Sequence, residues 1–142
     1  MRTALLVVSL LISGYSIAGN QDKTSQCLEG LKNDGRFASI ANHIAVDGQD
    51  TATPQMLADE THPDERQLSA IADLIDARSE CVNFSPTQLS ISLHLAFVGL
   101  VPDLYNGKIT FGEFNRRWRV LFEETTKAPG EMLDHSSSHH HH

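Results

Sequence analysis

Apolar residues recur every three to four positions along most of this chain, and turn chemistry marks the breaks, which predicts an all-α fold of four to five helices stapled by a disulfide. A first helix runs from about Thr24 to Asn33 and stops at Asp34-Gly35. Phe37, Ile40, Ala41 and Ile44 then keep the helical spacing as far as the polar turn Asp47-Gly48-Gln49-Asp50. Thr53-Pro54 supplies an N-cap with Pro at the first helical position and opens a short helix through Met56 and Leu57. After Thr61-His62-Pro63-Asp64 restarts the chain, Leu68, Ile71, Ala72, Ile75 and Val82 form one stripe of a long helix. Leu74 and Cys81 lie one stripe over, so Cys81 is expected to face the core near the helix end.

Ser85 and Gln88 read as a capping box, with Pro86 in the first turn and Phe84 and Leu89 as the hydrophobic staple. The segment that follows fits two periods. Leu89, Ile91, Leu93 and Leu95 alternate with polar residues as in a strand, whereas Leu89, Leu93, Ala96, Phe97 and Leu100 fit a helix. Its length and cap select the helix, and its nearly all-round apolar character places it at the centre of the bundle. A last helix opens at Thr110, with Phe111, Phe114, Trp118, Leu121 and Phe122 on one stripe, and ends before Ala128-Pro129-Gly130.

Residues 1–18 combine Arg2, an apolar run from Ala4 to Ile12 and the small-residue site Ser16-Ile17-Ala18, the pattern of a secretory signal peptide cut before Gly19. The product is expected in the periplasm or secreted, without membrane insertion. No lipid anchor is expected, because Lys23, Thr24, Ser25 and Gln26 precede Cys27 where a lipobox would stand. Residues 19–130 then form one helical domain, and residues 131–142, ending in a His run, read as a disordered tail or affinity tag. Cys27 and Cys81 are the only cysteines and both lie in the exported part, so an oxidising compartment would join them. Removing Arg2 leaves 10 Lys and Arg against 18 Asp and Glu, a net charge of −8. That charge argues against nucleic acid and anionic membranes and favours a cationic protein as partner.

Candidate chemistry is sparse. Gly107, Ile109 and Glu113 match the second half of an EF-hand loop, which makes Asn106 and Glu113 calcium candidates of a degenerate module. Pro102 and Leu104, however, occupy positions where side-chain oxygens belong. The same residues read as a capping box between Thr110 and Glu113, with Ile109 and Phe114 as staple. Asp47, Asp50, Asp59, Glu60, Asp64 and Glu65 form the densest acidic region. They read as a protein-binding surface or, in the enzymatic alternative, as paired carboxylates of an envelope-glycan or peptidoglycan hydrolase. Arg116, Arg117 and Arg119 are expected to balance Glu113, Glu123 and the acidic turns. His43, His62 and His94 show no metal-binding spacing, and no cofactor motif is present.

An early cysteine, the Thr53–Asp59 segment Thr-Pro-x-Met-Leu-Ala-Asp, the Ala77-x-x-x-Cys81 helix end and the run from Gly107 to Arg117 resemble a group of small exported two-cysteine bacterial proteins of uncharacterised function. The resemblance covers most of residues 25–120 and implies a bacterial, periplasmic helical protein; it supplies no activity. Together these readings point to a non-catalytic binding protein, such as an acidic inhibitor or immunity-type partner of a cationic envelope-acting protein.

Overall fold

A computed structural model describes residues 23–49 and 51–127; the signal-peptide pattern, Asp50 and the C-terminal tail lie outside the described residues. Five α-helices run in the order α1 (Lys23–Gly30), α2 (Pro54–Leu57), α3 (Glu65–Phe84), α4 (Gln88–Tyr105) and α5 (Phe111–Lys127), and no strand occurs among the described residues. The contacts that build the bundle are α4 on α5, α1 and α4 on α3, and α2 on α5.

Local side-chain chemistry sets most helix starts. Thr53 accepts from the Met56 N–H ahead of Pro54, and Asp64 exchanges a complete capping box with Gln67. α4 begins later than the Ser85–Gln88 pattern predicts. Thr87 is extended and shares a reciprocal box with Ser90, while the Ser85 carbonyl accepts from the Thr24 hydroxyl of α1. At α5 only half of the expected box forms: the Glu113 N–H donates to Thr110 Oγ1, but the Glu113 carboxylate turns to two arginines.

The stretch from Phe37 to Ile44 buries the apolar residues its spacing marks, with Phe37, Ile40 and Ile44 at most 1 % exposed. It is not a regular helix. Leu31–Asn33 and Gly35–Phe37 are 3-10 turns, and beyond them bonds to the third residue back (Ile40 to Phe37, His43 to Ile40) mix with bonds to the fourth (Ala41 to Phe37, Ile44 to Ile40). α4 is not central either. Phe97, Val101 and Leu104 face inward, but Leu89, Ile91, Leu95 and Tyr105 are 44–63 % exposed, so part of its apolar surface meets solvent. The core forms where α3, α4 and α5 meet, with Phe97 edge-on to both Phe114 and Trp118 at centroid distances of 5.5 and 5.6 Å.

Cys27 of α1 is bonded to Cys81 of α3, Cα to Cα 5.4 Å, which ties α1 to the long helix. At the other end the first N–H groups of α5 are met by an extended segment: Phe111 donates to the Thr61 carbonyl and Gly112 to the Asp59 carbonyl. That approach requires Gly112, since a Cβ there would stand 2.6 and 2.7 Å from the carbonyl oxygens of Asp59 and Leu57. Asn115, buried in the next turn, donates from Nδ2 to the carbonyls of His43 and Met56 and so ties the 37–44 stretch and α2 to α5.

Candidate functional site

A cation lies in the interior of the bundle. Ile71, Leu74, Arg78, Cys81 and Val82 follow one another around the buried face of α3, so the helical period carries Arg78 inward with its apolar neighbours. Arg78 is 2 % exposed. Its guanidinium carbon stands 3.8 Å from the centre of the Phe97 ring and 5.6 Å from that of Trp118, which gives the charge two aromatic faces. Its Nε and Nη1 are buried with no hydrogen-bond partner among the described residues. Burial pushes its pKa down to about 10, against the upward pull of Asp47. Arg78 is therefore still a cation at neutral pH.

Asp47 does not neutralise it by contact. The aspartate is 3 % exposed and its carboxylate is already committed. Oδ2 pairs with Lys32 Nζ at 3.0 Å, and Oδ1 accepts from the Gln49 N–H and the Thr51 hydroxyl. Between the two groups sits Gly48, at φ +75°, where a Cβ would come within 3.0 Å of Arg78 Nη1. Glycine is needed there twice, for the backbone conformation and for the approach of the guanidinium.

Arg78 and Gly48 line a cavity of about 320 Å³, open on one side and bounded by α1, the 47–49 turn, α3, α4 and the end of α5. Leu28, Val82, Leu93 and Phe122 supply apolar wall, and exposed residues such as Ser25, Thr87 and Thr126 supply hydroxyls. His94 also lines it, with Nδ1 buried and unpartnered among the described residues. Burial, and then the nearby charge of Arg78, hold the His94 pKa below its ordinary value, so the imidazole is neutral at pH 7. As pH falls the unfolded chain takes up this proton before the folded one, so the contribution of His94 to stability is lost below about pH 6.5. His94→Gln is expected to flatten the fall in urea midpoint between about pH 6.5 and 5 relative to the unsubstituted protein; equal slopes would contradict this origin.

The acidic region is not one face. Asp47 is interior and paired with Lys32. Asp59 contacts His43 Nδ1 through Oδ2 at 2.6 Å and accepts from the Thr61 N–H and hydroxyl through Oδ1. Burial raises its carboxyl pKa, but the bonds from Thr61 and His43 outweigh this and leave it lowered. Asp64 caps α3. Glu60, Asp64 and Glu65 are exposed. The hydrolase alternative is left with carboxylates at Asp47 and Asp59 that are each tied to a basic side chain and to local donors.

The calcium half-loop folds as ordinary helix punctuation. Asn106 is the C-cap of α4 and Gly107 takes φ +72°. Both Glu113 oxygens accept from guanidinium groups, Oε2 from Arg116 at 2.7 Å and Oε1 from Arg117 at 3.1 Å. Arg116, then Arg117, hold its carboxyl pKa low. No group of three His, Cys, Asp or Glu side chains able to hold a metal occurs among the described residues.

No helix among the described residues is long and apolar enough to cross a membrane, and the Cys27–Cys81 bond is of the kind that forms in oxidising compartments. No protein-family model, curated protein or solved structure matches this chain.

Proposed function

We propose that this is a non-catalytic binding protein of the bacterial envelope, and that its ligand is a small anion held in the Arg78 cavity. One observation carries the reading: a buried cation lines a cavity, and its Nε and Nη1, both closed to solvent, have no hydrogen-bond partner among the described residues. A buried polar group without a partner costs about 1–3 kcal/mol, more when charged, and such groups in folded proteins call for a specific explanation. An anion in the cavity provides one. It would accept from the guanidinium and offset the desolvation of the charge.

The alternative of a cationic protein partner keeps only Glu60, Asp64 and Glu65 of its described contact residues at the surface, with Asp47 buried and Asp59 turned toward His43. The carboxylate-pair hydrolase gains no supporting geometry at Asp47 or Asp59.

The test follows the Nε–H resonance of Arg78 while sodium acetate, phosphate or sulfate is titrated at constant ionic strength. At least one anion is expected to shift that resonance saturably, with the exposed Arg36 as an internal control. If none of the three moves Arg78 more than Arg36, the reading fails.

A further inference from the structure

Resting on the anion-binding reading above, we infer that the cavity selects a monocarboxylate with a compact apolar body, either a free acid or the C-terminal residue of a peptide. Charge arithmetic points to a single negative unit. Lys32 and Asp47 neutralise one another at 3.0 Å, which leaves the Arg78 cation as the one uncompensated charge of that trio. A doubly charged phosphate would bring a second negative charge into a desolvated place with no second cation in the trio to meet it. The planar guanidinium also matches the geometry of a carboxylate, to which it can donate two parallel hydrogen bonds.

The lining sorts by depth. Arg78, Gly48, Leu28 and Val82 are buried, so the cation and the first apolar contacts lie at the floor. Leu93 and Phe122 are half-buried, and the exposed Ser25, Thr87 and Thr126 sit at the rim. A ligand that places its carboxylate on Arg78 therefore lays its body against aliphatic and aromatic carbon and reaches hydroxyls only at the mouth. His94 lines the same cavity. The volume of about 320 Å³ corresponds to roughly ten water-sized groups at about 30 Å³ each. Octanoate and N-acetyl-leucine are of that size.

The chain has one tryptophan, Trp118, and it stands 5.6 Å from the Arg78 guanidinium, so its fluorescence reports on the site. The disulfide-bonded protein is titrated with octanoate, octanol, octylamine, N-acetyl-leucine, N-acetyl-leucinamide and inorganic phosphate, with calorimetry in parallel. Octanoate, N-acetyl-leucine or both should bind, and octanol, octylamine and the amide should not. Octanoate alone would identify a free acid as the source, and N-acetyl-leucine alone a peptide C-terminus. Arg78→Met should weaken the binding roughly 30-fold or more, with far-UV circular dichroism and melting showing that the variant is folded; Arg78→Lys should recover part of it. If phosphate binds and both carboxylates do not, or if the amide binds as well as the acid, the ligand class is overturned while the Arg78 site stands. If carboxylate binding survives Arg78→Met unchanged, the Arg78 site itself is overturned.

Discussion

The double variant Cys27→Ala/Cys81→Ala is expected to lose about 4 kcal/mol of folding stability, the chain-entropy value for a crosslink closing a loop of this length. The bond joins residues 54 apart and fixes α1 against the far end of α3. Packing of α1 on α3 and the Thr24 bond to the Ser85 carbonyl act beside it. α1 is eight residues long with one buried residue, Leu28, which is too short to be stable as an isolated helix in water. Since small domains hold about 5–15 kcal/mol in total, removing this tie takes a large share. The check is a urea transition recorded with and without reductant. A large drop in midpoint on reduction is expected; an unchanged midpoint would mean that packing alone holds α1. Loosening α1 also loosens the Leu28 wall of the cavity, so the same variant should bind anions more weakly.

The parts of this fold that the sequence discloses are those settled by neighbours in the chain. The Thr53-Pro54 cap uses residues three apart, and α5 shows its buried stripe directly, whereas α3 buries the side of Leu74 and Cys81 and leaves Ala72 of the expected stripe exposed. The cysteine pairing needs only a count of two and an oxidising compartment. Where the outcome depends on a remote partner, local reading falters. Ser85 looks like a cap, yet its carbonyl serves Thr24, 61 residues away, and the cap falls to Thr87. Glu113 looks like the return arm of a capping box, or a calcium ligand, but Arg116 and Arg117 take both oxygens.

The candidate site shows the same limit more sharply. Asp47 belongs by composition to an acidic surface, and only the fold reveals that Lys32 meets it in the interior. Arg78 did leave a trace: it stands at the same helical phase as Ile71, Leu74 and Cys81, a charged residue on a core stripe. Nothing local, however, announces the Phe97 and Trp118 rings, which come from α4 and α5 to cover it. The apolar surface of α4 reads as central because hydropathy records composition, and the direction in which Leu95 and Ile91 point is decided by which helices pack beside them.

Arg78→Met is expected to raise the stability of the ligand-free protein by about 2 kcal/mol, the reverse of most core substitutions. The guanidinium is desolvated, and two of its nitrogens are unpartnered among the described residues. Removing such a group relieves about 1–3 kcal/mol for each unmet donor, and the lost contact with the aromatic faces returns about 2 kcal/mol of that. Asp47 is not stranded by the change, because Lys32, the Gln49 N–H and the Thr51 hydroxyl remain. Methionine is flexible enough to fill the space, and its sulfur packs well against Phe97 and Trp118. A higher urea midpoint together with lost binding would mark Arg78 as a residue kept for its ligand at the expense of stability, the trade expected at binding sites. A fall of several kcal/mol would instead make the cation a structural centrepiece of the α3–α4–α5 junction, and the cavity a by-product of packing around it.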